Sequence, residues 1–232
     1  AAGIGCGMAS PFDAKATTKM GAGIAIHNSN VEAHGGLGGA GIGGGAEQSK
    51  TGLGGDGPSV LIKGGCRVDA YGGGAEHVGT YLYYPGAAGI GGGSDGGSTS
   101  PITIDVTEDE TTAKGTLEDP TGSKYYVHAV GKDGGAGIGS GGSTYSEDSL
   151  SKGDNDFDST ITIKGGAVFA KGGRSFAITS GHDKYNGMYM GAGAGIGGGS
   201  AEGTVDEVII NGGFIRAKAG DNHADSDRAD DI

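Results

Sequence analysis

Most of the tyrosines in this chain are clustered, and their surroundings suit the binding of a ligand. Seven of the nine fall in three stretches rich in glycine and polar residues, and a histidine lies in or next to each stretch. A tyrosine offers a large rigid face and a hydroxyl, which together suit stacking on a flat amphipathic ligand such as a sugar ring. The alternative is that each ring packs only against its own loop. The candidate carbohydrate-binding residues are Tyr81, Tyr83, Tyr84, Tyr125, Tyr126, Tyr185, Tyr189, His77, His128 and His182.

A second group of candidate residues is acidic. Asp154, Asp156 and Asp158 occupy alternate positions along the chain. Calcium-binding loops often start with carboxylates spaced in this way, because Ca²⁺ takes oxygen ligands. The glycine at position 6 and the glutamate at position 12 of an EF-hand loop are missing, since Gly165 falls at position 12. The segment is therefore a candidate metal site for Ca²⁺, the one cofactor that the sequence suggests, with a solvated acidic turn as the alternative.

Three short patterns recur along the chain and must position these residues. The tripeptide Ala-Gly-Ile occurs at 2–4, 22–24, 40–42, 88–90, 136–138 and 194–196. Triplets of the Ile-x-Ile type occur at 60–62, 102–104, 161–163 and 208–210, and triplets of the Val-x-Ala type at 31–33, 68–70, 127–129, 168–170 and 215–217. Alternation places the first and third residues of each triplet on one face of a strand. Glycine pairs between the triplets suit turns, because glycine adopts positive φ without a steric penalty.

These repeats predict an all-β fold, a parallel β-solenoid with three short strands per coil and loop insertions. The first two Ala-Gly-Ile intervals, 20 and 18 residues, predict a smallest coil of that length. We expect residues 1–220 to form one domain and residues 221–232 to be an acidic, frayed tail. Insertions leave a solenoid at defined corners, so the tyrosine-bearing stretches are expected to lie side by side.

The composition limits the classes of partner. The chain has 28 acidic and 16 basic residues, a formal net charge of −12, which disfavours nucleic acids and anionic membranes because both require clustered Lys and Arg. No apolar run approaches the roughly 20 residues of a membrane span. We expect no signal peptide in this chain, and because it begins within a repeat without an initiator methionine we expect it to be a segment of a longer protein.

The two cysteines, Cys6 and Cys66, are expected to be buried free thiols. If each coil rises by one strand spacing of about 4.8 Å, residues two or more coils apart lie beyond the reach of a disulfide, which needs Cα atoms within about 7 Å.

The run Gly-Gly-Ala-Gly-Ile-Gly-Gly-Gly, alternating with Ile-Thr-Ile-Lys-Gly-Gly-Ala-Val-Phe-Ala-Lys-Gly-Gly, resembles the glycine-rich repeats of secreted bacterial surface proteins. The resemblance covers nearly the whole chain, except that an insertion from Asp105 to Lys124 interrupts the repeat at 102–138. It implies a right-handed parallel β-helix, an extracellular or cell-surface location, and a carbohydrate-binding or adhesin-like role with a polysaccharide or a host or cell-wall glycan as partner.

Two other functional classes remain open. A structural stalk would explain the repeats but not the clustered insertions. A polysaccharide lyase or hydrolase would need paired carboxylates about 5 to 9.5 Å apart or Ca²⁺ with a basic residue. Glu32 and Asp69 are expected at equivalent outward positions of one ladder, with Arg216 at the equivalent position two coils away. No catalytic triad motif and no zinc-ligand spacing is present, so the sequence favours a non-catalytic module over an enzyme.

The candidate calcium site yields a direct test. Removing Ca²⁺ with a chelator should lower the melting temperature if Asp154, Asp156 and Asp158 hold the ion, because a ligand that binds only the folded chain stabilises it. The double variant Asp154→Asn/Asp156→Asn should not respond to the chelator. An unchanged melting temperature of the original chain in chelator would dismiss the site.

Overall fold

Three parallel sheets of five strands each form the framework of the described chain. The chain visits the sheets in a constant order, so that one strand of each makes up a coil and successive coils stack. The computed structural model describes residues 1–6, 23–46, 57–74, 76–78, 82–84, 86–94, 100–107, 113–142, 157–178, 188–200 and 203–222. Of these, 76–78, 82–84, 157–158, 176–178 and 188–190 are described by their backbone alone. The predicted parallel β-solenoid with three strands per coil is confirmed.

Each sheet is built from one of the repeated triplets. The first sheet contains β1 (Ile4–Gly5), β4 (Ile42–Gly43), β9 (Ile90–Gly91), β12 (Ile138–Gly139) and β17 (Ile196–Gly197). The second sheet contains β2 (Ile24–His27), β5 (Val60–Gly64), β10 (Ile102–Val106), β13 (Phe157–Gly165) and β18 (Val205–Ile210). The third sheet contains β3 (Asn30–His34), β6 (Arg67–Tyr71), β11 (Tyr126–Val130), β14 (Ala167–Lys171) and β19 (Phe214–Lys218).

Three smaller elements are inserted into this framework. Two antiparallel hairpins are formed by β7 (Glu76–Val78) with β8 (Leu82–Tyr84) and by β15 (Phe176–Ile178) with β16 (Met188–Met190). A 3₁₀ turn covers Pro120–Gly122, where the Asp119 carboxylate accepts a hydrogen bond from the Thr121 amide. Among the described residues no helix is long and apolar enough to cross a membrane.

One of the six Ala-Gly-Ile copies was wrongly assigned by the sequence pattern. Ile24 does not belong to the first sheet but begins β2, where it pairs with Val60 of the second sheet. The physical reason is that Ile24 and Ile26 alternate as an inward-facing pair, which outweighs the match of a tripeptide. The isoleucines of the first sheet therefore step by 38, 48, 48 and 58 residues, at positions 4, 42, 90, 138 and 196. The predicted coil of 18 to 20 residues is wrong.

The interior of the solenoid consists of columns of like residues, one residue from each coil. Ile62, Ile104 and Ile163 stack in one column of the second sheet, and each is fully buried. Valine and alanine form equivalent columns in the third sheet. Burying a side chain of this size contributes roughly 1.5–3 kcal/mol. The core is therefore continuous along the axis, although each coil adds only a few apolar residues to it.

The two cysteines lie in this interior. Cys6 follows β1 and Cys66 precedes β6, and both are buried and free of disulfide bonds. The prediction of two buried free thiols is confirmed.

The glycine after each isoleucine of the first sheet sets how closely coils approach. These glycines form one column with φ between +130° and +138°, a region that L side chains rarely adopt. A Cβ at Gly43 would lie 2.0 Å from the carbonyl oxygen of Gly91, and a Cβ at Gly91 would lie 2.0 Å from that of Gly139. No side chain fits in this space in the first four coils, whereas in the last coil only the positive φ of Gly197 favours glycine, since the nearest atom to a Cβ there would be Ala194 Cβ at 3.4 Å.

Gly91→Ala tests this constraint, because the new methyl group would overlap the carbonyl oxygen of the next coil. We expect the free energy of unfolding to fall by about 3 kcal/mol or more, from backbone strain and overpacking together. Gly165→Ala is the matched control, since a Cβ there would find its nearest atom, the Val106 carbonyl oxygen, at 4.0 Å. Chemical denaturation of both variants measures the difference; equal stability of the two would refute the constraint.

Candidate functional site

The three tyrosine-bearing stretches leave the solenoid at two different corners. The hairpins β7–β8 and β15–β16 both connect the third sheet to the first, but they lie two coils apart, and the intervening coil makes this connection with the short segment 131–137. The insertion before Tyr125 and Tyr126 connects the second sheet to the third. The expectation that all three lie side by side therefore does not hold, because insertions share an edge only when they interrupt the same connection.

The predicted residues in the hairpins have defined backbone positions. His77 and Tyr83 are opposite each other in the first hairpin, next to the pair of Glu76 with Tyr84. Tyr189 is opposite Ala177 in the second hairpin. Tyr81, Tyr185, His182, Asp154 and Asp156 lie outside the described residues, and Asp158 lies in β13, where the backbone alone is described.

The segment 113–124 folds over the outer face of the third sheet. Ala113 and Leu117 pack with Tyr126, Ala167 and Phe169 in a second apolar cluster, separate from the solenoid interior. A Cβ at Gly115, whose φ is +127°, would come within 2.9 Å of the Phe169 ring, so glycine permits this close approach. This covering segment buries outward-facing side chains of the third and fourth coils that would otherwise lie in solvent.

Alternation along the third sheet produces columns of side chains on its outer face as well. The middle column contains Glu32, Asp69, His128, Phe169 and Arg216 in successive coils. The prediction that Glu32 and Asp69 are ladder neighbours is confirmed. Arg216 lies three coils from Asp69 rather than two, because both the His128 and the Phe169 coils come between them.

Asp69 is held in place by two residues of the next coil. The Tyr126 hydroxyl donates a hydrogen bond to Asp69 Oδ2 at 2.9 Å, and His128 Nδ1 lies 3.0 Å from Asp69 Oδ1. A carboxylate can only accept, so Nδ1 carries the proton of the His128 ring. Tyr126 and His128 are 6% and 5% exposed. They therefore orient the carboxylate of Asp69 and offer little ring surface to a ligand.

The hydroxyl of Tyr126 keeps its proton strongly. Burial, the hydrogen bond to Asp69 and the negative charge of Asp69 raise the pKa of Tyr126 to about 12. The phenol is consequently a permanent donor at neutral pH. The other nitrogen of the neighbouring imidazole, His128 Nε2, is buried and has no hydrogen-bond partner among the described residues, so the Asp69–His128 pair does not present a base to solvent.

Next to Asp69, two aromatic rings are stacked across neighbouring coils. The rings of His34 and Tyr71 are 4.7 Å apart between centroids and nearly parallel, at 15°. His34 Nε2 also lies 2.8 Å from Glu32 Oε1, and both side chains are largely exposed, at 62% and 71%. The rings of Tyr71 and His128 are nearly perpendicular, at 88°, with their centroids 5.6 Å apart. We call Glu32, His34, Asp69 and Tyr71 the carboxylate–aromatic patch.

Sequence reasoning had not singled out His34 and Tyr71 as site residues, because neither lies in an insertion. The sequence nevertheless contains a pattern that relates the two residues, since each directly follows the alanine of a Val-x-Ala triplet. They are therefore equivalent residues of adjacent coils and pair in register. Tyr125, which was singled out, lies at the corner between the second and third sheets, with Lys124 Nζ 4.9 Å from its ring centroid.

A cavity of about 210 Å³ lies further along the same face, at the ends of β11, β14 and β19. Its cationic lining residues are Lys132, Lys171 and Arg174, and its acidic ones are Asp133 and Asp221. Lys171 belongs to the outer column that starts with His34 and Tyr71. This column thus has aromatic rings at one end and the cation Lys171 beside the cavity further along. The cavity could receive an anionic group of a ligand.

The described residues contain no group of three or more His, Cys, Asp or Glu side chains that could hold a metal ion. The predicted calcium site depends on residues outside this description and stays a prediction.

Tyr126→Phe tests the hydrogen bond to Asp69 through its pH dependence. Below pH 10 the phenol is protonated in both the folded and the unfolded chain. Between about pH 10 and 12 the unfolded chain loses the proton first, so the free energy of unfolding should fall as the pH rises. The Phe variant should lose part of this alkaline destabilisation.

Ultraviolet absorbance of the phenolate provides the second measurement. The original chain should show a late ionisation near pH 12 that is missing from Tyr126→Phe. At neutral pH the variant should lose about 1.5–3 kcal/mol, the usual contribution of a hydrogen bond to a charged group. The pKa of Tyr71 is also raised, by burial and by the charges of Asp69 and Glu32, so its late ionisation stays in both chains. A late ionisation of undiminished amplitude in Tyr126→Phe would rule out this assignment.

We compared the chain with protein-family models, with curated proteins and with solved structures, and none of them matches. The interpretation of the site therefore depends on its geometry.

Proposed function

We propose that this chain is a non-catalytic carbohydrate-binding or adhesive module of a secreted bacterial surface protein, and that the glycan lies along the outer face of the third sheet. The carboxylate–aromatic patch is the observation that carries the proposal. It combines a stacked pair of rings with two carboxylates from the same two coils.

The patch has the chemistry that a sugar ring requires. Rings of His34 and Tyr71 supply apolar contact for the faces of a sugar, while Glu32 and Asp69 accept hydrogen bonds from its hydroxyl groups. Asp69 is already oriented by Tyr126 and His128, so less side-chain freedom is lost when a ligand binds. Preorganisation of this kind improves affinity without adding contacts.

The dimensions of the face suit an extended ligand. Coils are about 4.8 Å apart, so the outer column from His34 to Lys218 extends over roughly 19 Å along the axis. A polysaccharide could contact the patch at one end and reach the cavity beside Lys171 at the other. Glycans with carboxylate or sulfate substituents would gain from Lys132 and Lys171, whereas Arg174 Nε already lies 3.5 Å from Asp133 Oδ1. The formal net charge of −12 opposes acidic polymers at long range.

A polysaccharide-degrading enzyme is the second candidate, because Glu32 and Asp69 come from adjacent coils. Both Asp69 oxygens accept hydrogen bonds from largely buried donors, which suits a binding group better than a proton-transfer group. Release of reducing sugars or unsaturated products from acidic polysaccharides, abolished by Asp69→Asn, would favour the enzyme instead.

Retention on a glycan array, followed by affinity measurement with the glycan retained, tests the binding proposal. Each stacked ring should contribute about 0.5–1.5 kcal/mol, so Tyr71→Ala should weaken binding about twofold to tenfold. His34→Ala/Tyr71→Ala should weaken it further. Tyr125→Ala is the matched control, since this half-buried ring lies at the corner between the second and third sheets and outside the patch, and it should bind normally.

Unchanged affinity of the double variant, with a normal melting temperature, would refute the role of the patch. If Tyr83→Ala/Tyr189→Ala loses glycan affinity and the double variant of the patch does not, the site lies on the hairpins that the sequence patterns indicate.

A further inference from the structure

The two ends of the solenoid expose strand edges and side chains that the middle coils bury. Among the described residues each sheet ends at a strand that is paired along one edge only. These strands are β1, β2 and β3 at the N-terminal end and β17, β18 and β19 at the C-terminal end. Ile4 is 36% exposed, whereas its column neighbours Ile42 and Ile90 are fully buried. Val208 and Ile210 are 40% and 52% exposed, although their column neighbours in the fourth coil have no exposure.

The two ends match each other in strand direction and in side-chain type. All strands of the three sheets are parallel, so a second copy translated along the axis would place its first coil parallel to the last coil of the first copy. Val208 and Ile210 would then continue the columns of Ile24 and Ile26. Ile215 and Ala217 would likewise continue the columns of Val31 and Ala33.

The charges on the outer face also match. The middle outer column begins with Glu32 and ends with Arg216, and both are exposed. Stacking two copies would bring these opposite charges to adjacent positions, about 4.8 Å apart between strands. The flanking columns would bring Asn30 to Phe214 and His34 to Lys218. In this sheet the described end strands would therefore place no two carboxylates and no Lys–Arg pair in contact.

We propose that the C-terminal end of one copy binds the N-terminal end of a second copy, so that the three sheets continue from copy to copy. Strand β18 would pair with β2 of the partner, β19 with β3 and β17 with β1. The contact uses two different surfaces of the molecule, so each added copy leaves a new free end and the assembly is an open head-to-tail stack. This association needs no glycan, although Glu32 and His34 of the carboxylate–aromatic patch lie at the contact.

Reversal of charge at each end tests the proposal, with sedimentation velocity over a range of concentrations and no glycan present. The sedimentation coefficient of the original chain should rise with concentration. Glu32→Arg and Arg216→Glu should each require at least about tenfold higher concentration, because each places two like charges at adjacent positions. Lys164→Glu, a charge reversal on the outer face of the fourth coil, should associate normally.

An equimolar mixture of Glu32→Arg with Arg216→Glu should regain association, because the arginine introduced in one variant then meets the glutamate introduced in the other and the remaining contact is unaltered. Non-specific aggregation would not show this recovery. Circular dichroism melting of each variant verifies that it folds. If Glu32→Arg fails to fold, the proposal is tested by comparing the concentrations at which Arg216→Glu and Lys164→Glu associate.

Three results would overturn the proposal. The original chain could remain monomeric at every concentration, the single variants could associate as well as the original, or the mixture could fail to recover. If the original chain is monomeric but a chain ending at Asn222 associates, residues 223–232 cover this end, and the proposal is wrong for the full chain.

Discussion

The close backbone contact between successive coils in the first sheet fixes how the coils stack throughout the molecule. The carbonyl oxygen of one coil occupies the place where the next glycine would carry a Cβ, at 2.0 Å for both Gly43 and Gly91. This contact keeps the first sheet in register with only two residues per strand. The second and third sheets follow with longer strands, and their buried columns supply the apolar stabilisation that the glycine strands cannot.

Register between coils is also what creates the candidate site. Glu32 and Asp69 are 37 residues apart in the chain, yet they are neighbours because Val31 and Val68 stack in the core beneath them. The same register places His34 on Tyr71 and brings Tyr126 and His128 to Asp69. A polar network on the outside is therefore positioned by apolar columns on the inside, which is why a change in the core would be expected to disturb the patch.

The exposure of the outer face of the third sheet varies from coil to coil, because an inserted segment of the third coil packs over part of it. Segment 113–124 packs over Tyr126 and Phe169, whereas the first coil leaves Glu32 and His34 in solvent. The result is an exposed patch with buried support behind it. The cavity of mixed charge lies beyond the cover, so the face offers two chemically distinct regions connected by one column of side chains.

The sequence by itself determined the features that depend on local alternation and local sterics. It predicted three strand types, which residues point inward, where glycine turns fall, that Cys6 and Cys66 are buried free thiols, and that Glu32 and Asp69 are ladder neighbours. It could not decide whether Ala22-Gly23-Ile24 belongs to the first sheet, because Ile24 fits two patterns equally well over three residues. Only the tertiary structure decided the corner from which each insertion leaves, the burial of Tyr126 and His128, and the stacking of His34 on Tyr71. Those features depend on contacts between coils separated by tens of residues, and the connections between such coils vary in length, so no local pattern encodes them.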